Sequence, residues 1–404
     1  MKDPMRLLLV IPRIDSYRAF FRELCFELNA RGAEIHIACS VEALQGHSRS
    51  VLDGWAQFHP LTLPRGMNPI SHLKAARDLN ALVRRLRPDI VDTHFSAAIF
   101  TTALARRAGW PITLGTFHGV SFPLVSGPKG RLLKVAEGWA AERLDTVWVL
   151  TESDRERLRE AARSATVKVW RSSGVGCDLA EFDPDRVTAP ERLALRERLG
   201  LEPEHRVFVF VGRFVAFKGF DLTVRTFLRI ADRHPHLRLL LVGAPDQLHP
   251  TGLTPLEDQA CRQCPQIINA GYQTDVASYL AVSHIMVFPS RREGMPVCVM
   301  QALAMGVPVI TRASRGCRDA VRHRRDGLVL RDCTADALAK AMILLATDDL
   351  LRVQYSREAL AGRQRFDRGT FVRDQINRYR QHAAVRAARN TDGHESSRTR
   401  AWST

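Results

Sequence analysis

Short apolar runs alternate along this chain with longer stretches of helical period, and that alternation restricts the fold more than any other feature of its 404 residues. Residues 7–11 are uniformly aliphatic and short, which suits a strand covered on both faces. Residues 17–31 follow, with Phe20, Phe21, Leu24, Cys25 and Leu28 spaced along one face of a helix and Gly32 to end it. Strands are predicted over 34–39, 90–94 and 112–117, separated by helices over 72–86 and 97–108. The rhythm breaks in a polar stretch, 184–203, that holds Pro184, Pro190 and Pro203. It resumes with strands over 206–211, 237–242, 285–288 and 307–311 and helices over 220–234, 276–281 and 296–305. Strand alternating with helix is the pattern of a parallel sheet with helices on both faces. The prediction is therefore an α/β chain of two doubly wound, Rossmann-like domains, 1–190 and 191–385, facing across a cleft. A polar, basic tail over 386–404 lacks apolar period and is expected to be unstructured.

Composition narrows the class. Hydrophobic residues make up 45% and charged residues 25%, close to the globular average. The most apolar stretch, 297–310, is interrupted by Gln301, Gly306 and Pro308 and falls short of the ~20 residues of a membrane span. The apolar block at 7–11 is too short for a secretion signal, and eight cysteines are too sparse for a disulfide scaffold. Cys261 and Cys264 form a lone CxxC without a second pair at zinc spacing. These features point to a cytoplasmic protein. Lys and Arg total 59 against 43 Asp and Glu, a net charge of +16, so the chain should be drawn to polyanions. No aromatic RNA-binding stripe, zinc finger or recognition-helix pattern accompanies that charge, and nucleic acid is not an expected partner.

Three blocks carry the chemistry. The segment from Gly212-Arg213 to Lys218-Gly219 lies between a predicted strand and a predicted helix, at the strand end where open sheets bind ligands. An arginine fork and a lysine point charge there suit a diphosphate. The spacing matches neither GxGxxG nor the P-loop. The second block, Glu293-Gly294-Met295-Pro296-Val297, opens a helix whose free N–H groups favour an anion, with Gln301 about one and a half turns further on. On position alone Glu293 is either an acidic helix cap or an acceptor for sugar hydroxyls. The third block places His118-Gly119 after a strand, where the histidine is either structural or part of the site.

Together these blocks resemble the retaining glycosyltransferases of family 4, which have the GT-B fold. The likeness runs over residues 6–365 and includes Arg87-Pro88-Asp89-Ile90-Val91, Thr93-His94, Gly174-Val175-Gly176-Cys177-Asp178 and Arg315-Gly316, as in the exopolysaccharide and O-antigen branch. It implies that Arg213, Lys218 and the helix start at 294–297 face the charge of the donor diphosphate, that Glu293 holds donor-sugar hydroxyls, and that His118 sits near the reacting carbon. It implies a nucleotide-sugar donor, a UDP-sugar before others, with no metal and no further cofactor. The implied acceptor is a saccharide on a polyprenyl diphosphate at an anionic membrane surface. Basic helical stretches at 73–86 and 128–135 would serve such peripheral attachment.

Two positions depart from that family. The second glutamate of its E-x7-E motif, which holds the ribose, is Gln301 here, so a charge-assisted bond becomes a neutral one. The loop at 11–16 lacks the glycine pair that lets backbone approach the donor. A non-catalytic partner of the same fold and a nucleotide-sugar epimerase are the competing readings. The first would follow from Gln301. The second would need acid–base residues in place of the Glu293 block.

Overall fold

The computed structural model describes residues 4–40, 53–64, 66, 68–246 and 249–399, with side chains through 384 except that of Leu124. Seven strands form one sheet: β1 (Arg6–Val10), β2 (Glu34–Cys39), β3 (Ala56–Pro60), β4 (Ile90–His94), β5 (Ile112–Phe117), β6 (Thr146–Val149) and β7 (Val167–Val169). Six form another: β8 (Arg206–Val211), β9 (Leu237–Val242), β10 (Ile267–Gly271), β11 (Ile285–Phe288), β12 (Val309–Arg312) and β13 (Gly327–Leu330). The chain divides into two compact units, Met1–Arg171 with Thr370–Thr404, and Ser172–Gly369, with one sheet in each.

Each sheet starts at its centre. The orders are β3-β2-β1-β4-β5-β6-β7 and β10-β9-β8-β11-β12-β13, with parallel pairing throughout. The first three strands therefore walk to one edge, and the fourth returns beside the first. At that reversal the loops leaving neighbouring strands diverge, which opens a crevice at the carboxyl ends of β1 and β4, and of β8 and β11. Central strands are the uniformly apolar ones because helices cover both faces: Val207, Phe208, Val209 and Phe210 of β8 are fully buried. The helix Phe220–Ala231 lays Val224 and Phe227 against them, with the Phe227 and Phe208 rings 6.3 Å apart.

The strands that the apolar pattern does not reveal are mostly edges. β3, β7, β10 and β13 each lie at the end of a sheet, and β3 and β10 are only partly buried. Half-covered strands admit polar residues and lose the signal. The stretch at 184–203 is also structured. Thr188 and Glu191 form a reciprocal capping box that starts the helix Ala189–Arg198, with Pro190 in its first turn. Leu195, Phe182 and Val187 join the core of the second unit. That packing puts the division at Arg171/Ser172, ahead of the predicted 190/191.

The final helix, Arg368–Thr399, crosses back to the first unit from Thr370 onward. It runs beyond residue 386, where an unstructured tail was expected, and residues 400–404 lie outside the described residues. Its attachment centres on Asp92, a fully buried carboxylate in the middle of β4. The Asp92 Oδ2 accepts from Arg378 Nη2 at 2.9 Å and from the Tyr379 hydroxyl at 2.5 Å. Burial alone would raise the Asp92 pKa. His94 and Arg378 beside it outweigh that and hold it far below the usual carboxylate range. Because the folded pKa is depressed, the bond's contribution is complete at neutral pH and fades only as strong acid protonates the carboxylate. Asp92→Asn should cost about 3–5 kcal/mol by leaving Arg378 buried and unpaired. Tyr379→Phe, which removes one hydrogen bond, should cost about 1–3 kcal/mol. Urea unfolding of both variants checks the order.

Candidate functional site

In the second unit the predicted residues converge at the reversal between β8 and β11. Beyond β8 the chain passes through a 3-10 turn, Ala216–Lys218, and enters the helix Phe220–Ala231 through Gly219. Gly219 has φ +77°, and a Cβ there would lie 2.6 Å from the Pro289 carbonyl oxygen, so only glycine lets this loop rest on the one after β11. The two loops are also joined by the Arg291 N–H, which donates to the Phe217 carbonyl at 2.8 Å. Lys218 and Glu293 meet as a result, Nζ to Oε1 at 2.9 Å, and their side chains are only 16% and 14% exposed. Burial pulls the Lys218 pKa down. The Glu293 carboxylate outweighs it, and the ammonium titrates above its ordinary value.

Ser290, which the sequence reading did not single out, organises this pair. Its hydroxyl lies 3.1 Å from Glu293 Oε1 and 3.2 Å from the Phe217 carbonyl, and the Arg292 N–H reaches it at 3.4 Å. The available signal in the sequence was its place two residues beyond the apolar run Ile285–Phe288 and three before Glu293; in the structure it is fully buried. The other side of the Glu293 loop is fixed by the turn after β12. Arg315 Nε donates to the Glu293 carbonyl at 3.2 Å, and a Cβ on Gly316 (φ +76°) would come within 2.4 Å of the Gly294 oxygen. A Cβ on Gly174 (φ +58°) would likewise come within 2.8 Å of the Met295 Cβ.

Pro296 proves to be the cap residue rather than part of the first turn, and the helix runs Val297–Ala304. The N–H groups of Val299 and Met300 turn back to the Pro296 carbonyl. Those of Val297 and Cys298 precede the first intrahelical bond and point out of the helix start. Gln301 stands half-buried in the second turn. Gly212 leads from β8 into the cationic loop. Arg213, half exposed, pairs with Asp246 and stacks over the Phe217 ring at 5.6 Å. Its guanidinium is thus held by a carboxylate, not by the Lys218 pair.

His118 belongs to the first unit, at the carboxyl end of β5. Its ring stacks on Phe95 at 4.3 Å, and Trp170 meets it edge-on at 5.7 Å. The loop beyond it is anchored by Glu137, a buried carboxylate that accepts the Ser121 N–H at 3.0 Å and the Phe122 N–H at 3.2 Å. Phe95 has φ +74°, a strained setting for a bulky side chain and one that clusters at functional sites. His118 Nε2 lies 3.0 Å from His94 Nδ1, and His94 Nε2 lies 3.4 Å from Asp92 Oδ2. An ionised Asp92 favours a proton on His94 Nε2. His94 Nδ1 then accepts from His118, and the lone pair of His118 rests on Nδ1. Burial first, then His94, drives the His118 pKa well below its ordinary value, so the ring is neutral. Asp92, missed as a site residue, was visible as a lone acid inside an apolar strand.

Comparison with known proteins identifies the family. Residues 17–169 match the glycosyl transferase 4-like domain, and residues 205–348 match glycosyl transferases group 1. The chain is 26% identical over 306 residues to the Escherichia coli UDP-Gal:alpha-D-GlcNAc-diphosphoundecaprenol alpha-1,3-galactosyltransferase, covering 74% of this chain and 77% of that one. It is 23% identical over 300 residues to the capsular polysaccharide biosynthesis glycosyltransferase CapM of Staphylococcus aureus, covering 73% and 77%. In fold it is similar to sucrose-phosphate synthase from Thermosynechococcus elongatus, with TM-score 0.79 at 18% identity over 94% of this chain and 100% of that one. Anabaena HepE, solved with UDP and glucose, gives 0.74 at 16% identity over 93% and 99%. Both units thus match one family from end to end of the matched region, and the chain belongs to the family 4 glycosyltransferases of the GT-B fold.

Proposed function

We propose that the protein transfers a hexose or N-acetylhexosamine, with retention, from a nucleotide sugar to a polyprenyl-diphosphate-linked saccharide in surface polysaccharide synthesis. The observation that carries this reading is the Lys218–Glu293 pair, a fixed cation and a fixed carboxylate 2.9 Å apart at the ligand-binding reversal of the second sheet. A diphosphate needs the first and sugar hydroxyls the second. The relatives named above support a UDP-sugar donor and a lipid-linked acceptor.

In this reaction the bond from the anomeric carbon to the diphosphate oxygen breaks, and the bond to the acceptor oxygen forms on the same face. The acceptor proton passes to the departing phosphate oxygen. Negative charge grows on the diphosphate, and Lys218, the outward N–H groups of Val297 and Cys298, and Arg213 once it leaves Asp246 are the groups that oppose it. This reading assigns that task to the chain's own charges rather than to a metal. Glu293 orients the donor sugar, Gln301 accepts from ribose through its amide oxygen, and neutral His118 offers its Nδ1 lone pair to a sugar hydroxyl.

Lys218→Ala should lower kcat by the equivalent of about 2–4 kcal/mol while KM changes less, because the charge it opposes grows in the transition state. Turnover across a panel of nucleotide sugars, with the product anomer read by NMR, tests both donor and stereochemistry. Wild-type turnover in the variant, or an inverted anomer, contradicts the reading.

The basic stretches separate on inspection. Leu79, Leu82 and Val83 of the helix Pro69–Leu86 are core residues, and its other face carries the exposed Leu73 (54%) beside the exposed Lys74. The helix Gly127–Glu142 exposes two such residues in its middle, Leu132 (58%) and Val135 (68%), near the exposed Lys129 and Arg131. That is the make-up of an interfacial helix face. No helix among the described residues is long and apolar enough to cross a membrane. Sedimentation with anionic vesicles should recover the protein at low salt and release it at high salt. Replacing Lys129 and Arg131 by Ala should weaken recovery. Equal recovery on neutral vesicles contradicts an electrostatic attachment.

A further inference from the structure

A cavity of about 580 Å³ lies in the first unit, under the final helix and beside the edge strand β7. It shares no residue with the Lys218–Glu293 site. Its floor is unusual for a protein interior. Arg378 and Gln375 from the final helix are 4% and 3% exposed, and Trp170 is 5% exposed. Arg378 spends only Nη2, on Asp92. Its Nε and Nη1, the Gln375 Oε1 and the indole Nε1 atoms of Trp148 and Trp170 have no hydrogen-bond partner among the described residues. Each such buried group costs free energy unless something meets it, and here several line one cavity.

Chemistry on both sides of the cavity specifies the occupant. The unpaired donors are cationic or indole N–H groups. Lys168 and Arg171, both exposed, stand at the rim and add charge. Lys168 also lies 5.5 Å over the Trp148 ring. That half asks for an anion with several acceptor oxygens. The unpaired acceptors are Gln375 Oε1 and Asp374 Oδ2, on adjacent residues of the helix. A bare phosphate has too few protons to satisfy them, and a carboxylate beside an anion site repels it. Hydroxyl groups attached to the anion would satisfy them. We propose that this cavity is a binding site for a small phosphorylated sugar or polyol, with the phosphate on Arg378, Lys168 and Arg171 and the hydroxyls on Gln375 and Asp374. It stands independently of the donor assignment. It also adjoins His118: Trp170, one wall of the cavity, meets the His118 ring at 5.7 Å.

Titration of the full-length protein with glucose 6-phosphate, inorganic phosphate and glucose, followed by tryptophan fluorescence and by calorimetry, tests this. Glucose 6-phosphate should bind saturably, inorganic phosphate about tenfold more weakly, and glucose without measurable effect. Lys168→Ala with Arg171→Ala, both exposed and safe for folding, should weaken glucose 6-phosphate at least about tenfold and leave UDP binding unchanged. Gln375→Leu should weaken glucose 6-phosphate while sparing phosphate, and Lys218→Ala should affect UDP alone. Absence of saturable binding overturns the proposal. So does binding that survives the double variant, or that disappears with Lys218→Ala, since the ligand would then occupy the donor site.

Discussion

Burial disfavours the charged form of a lysine, and at Lys218 the Glu293 carboxylate beside it outweighs that cost. Much else in the second unit serves to keep the two together. Their loops leave different strands, β8 and β11, and touch because Gly219 can take a left-handed turn against Pro289. Ser290 ties the carboxylate to the lysine loop, and Gly316 permits the third loop to close behind it. In the proposed reaction the pair exchanges partners, cation to diphosphate and carboxylate to hydroxyls, so that neither charge is stranded.

The first unit solves a related problem with a neutral group. His118 is kept uncharged by burial and by His94, and its proton position follows from an acid, Asp92, that also holds the final helix. One buried carboxylate therefore serves both the attachment of Arg378 and Tyr379 and the tautomer of His118. Strain at Phe95 and the anchoring of the loop beyond His118 by Glu137 belong to the same design, in which rigidity at the strand ends is obtained from buried polar groups.

How much of this could be read from residues alone depends on where each residue sits. β1, β4, β8 and β11 were legible because central parallel strands are covered on both faces and show as apolar runs. So were Lys218 and Glu293, since glycines and charges at strand ends are conspicuous. The edge strands β3 and β10 were hidden by their half-burial, and the helix Ala189–Arg198 by its prolines, although Thr188 and Glu191 spelled its cap. The pairing of Arg213 with Asp246 and the shared use of Asp92 joined residues far apart in sequence, and no local pattern announces such contacts. The return of the final helix to the first unit is of the same kind.

The central claim is a division of labour at one ion pair, the cation for the leaving diphosphate and the carboxylate for the sugar. Calorimetric titration of UDP, which has no sugar to offer, separates the two roles in a single measurement. Lys218→Ala should lose about tenfold or more in UDP affinity, whereas Glu293→Gln should bind UDP at least as well as the unaltered protein. Undiminished UDP affinity in Lys218→Ala, or a loss in Glu293→Gln as large as in the lysine variant, would contradict the account.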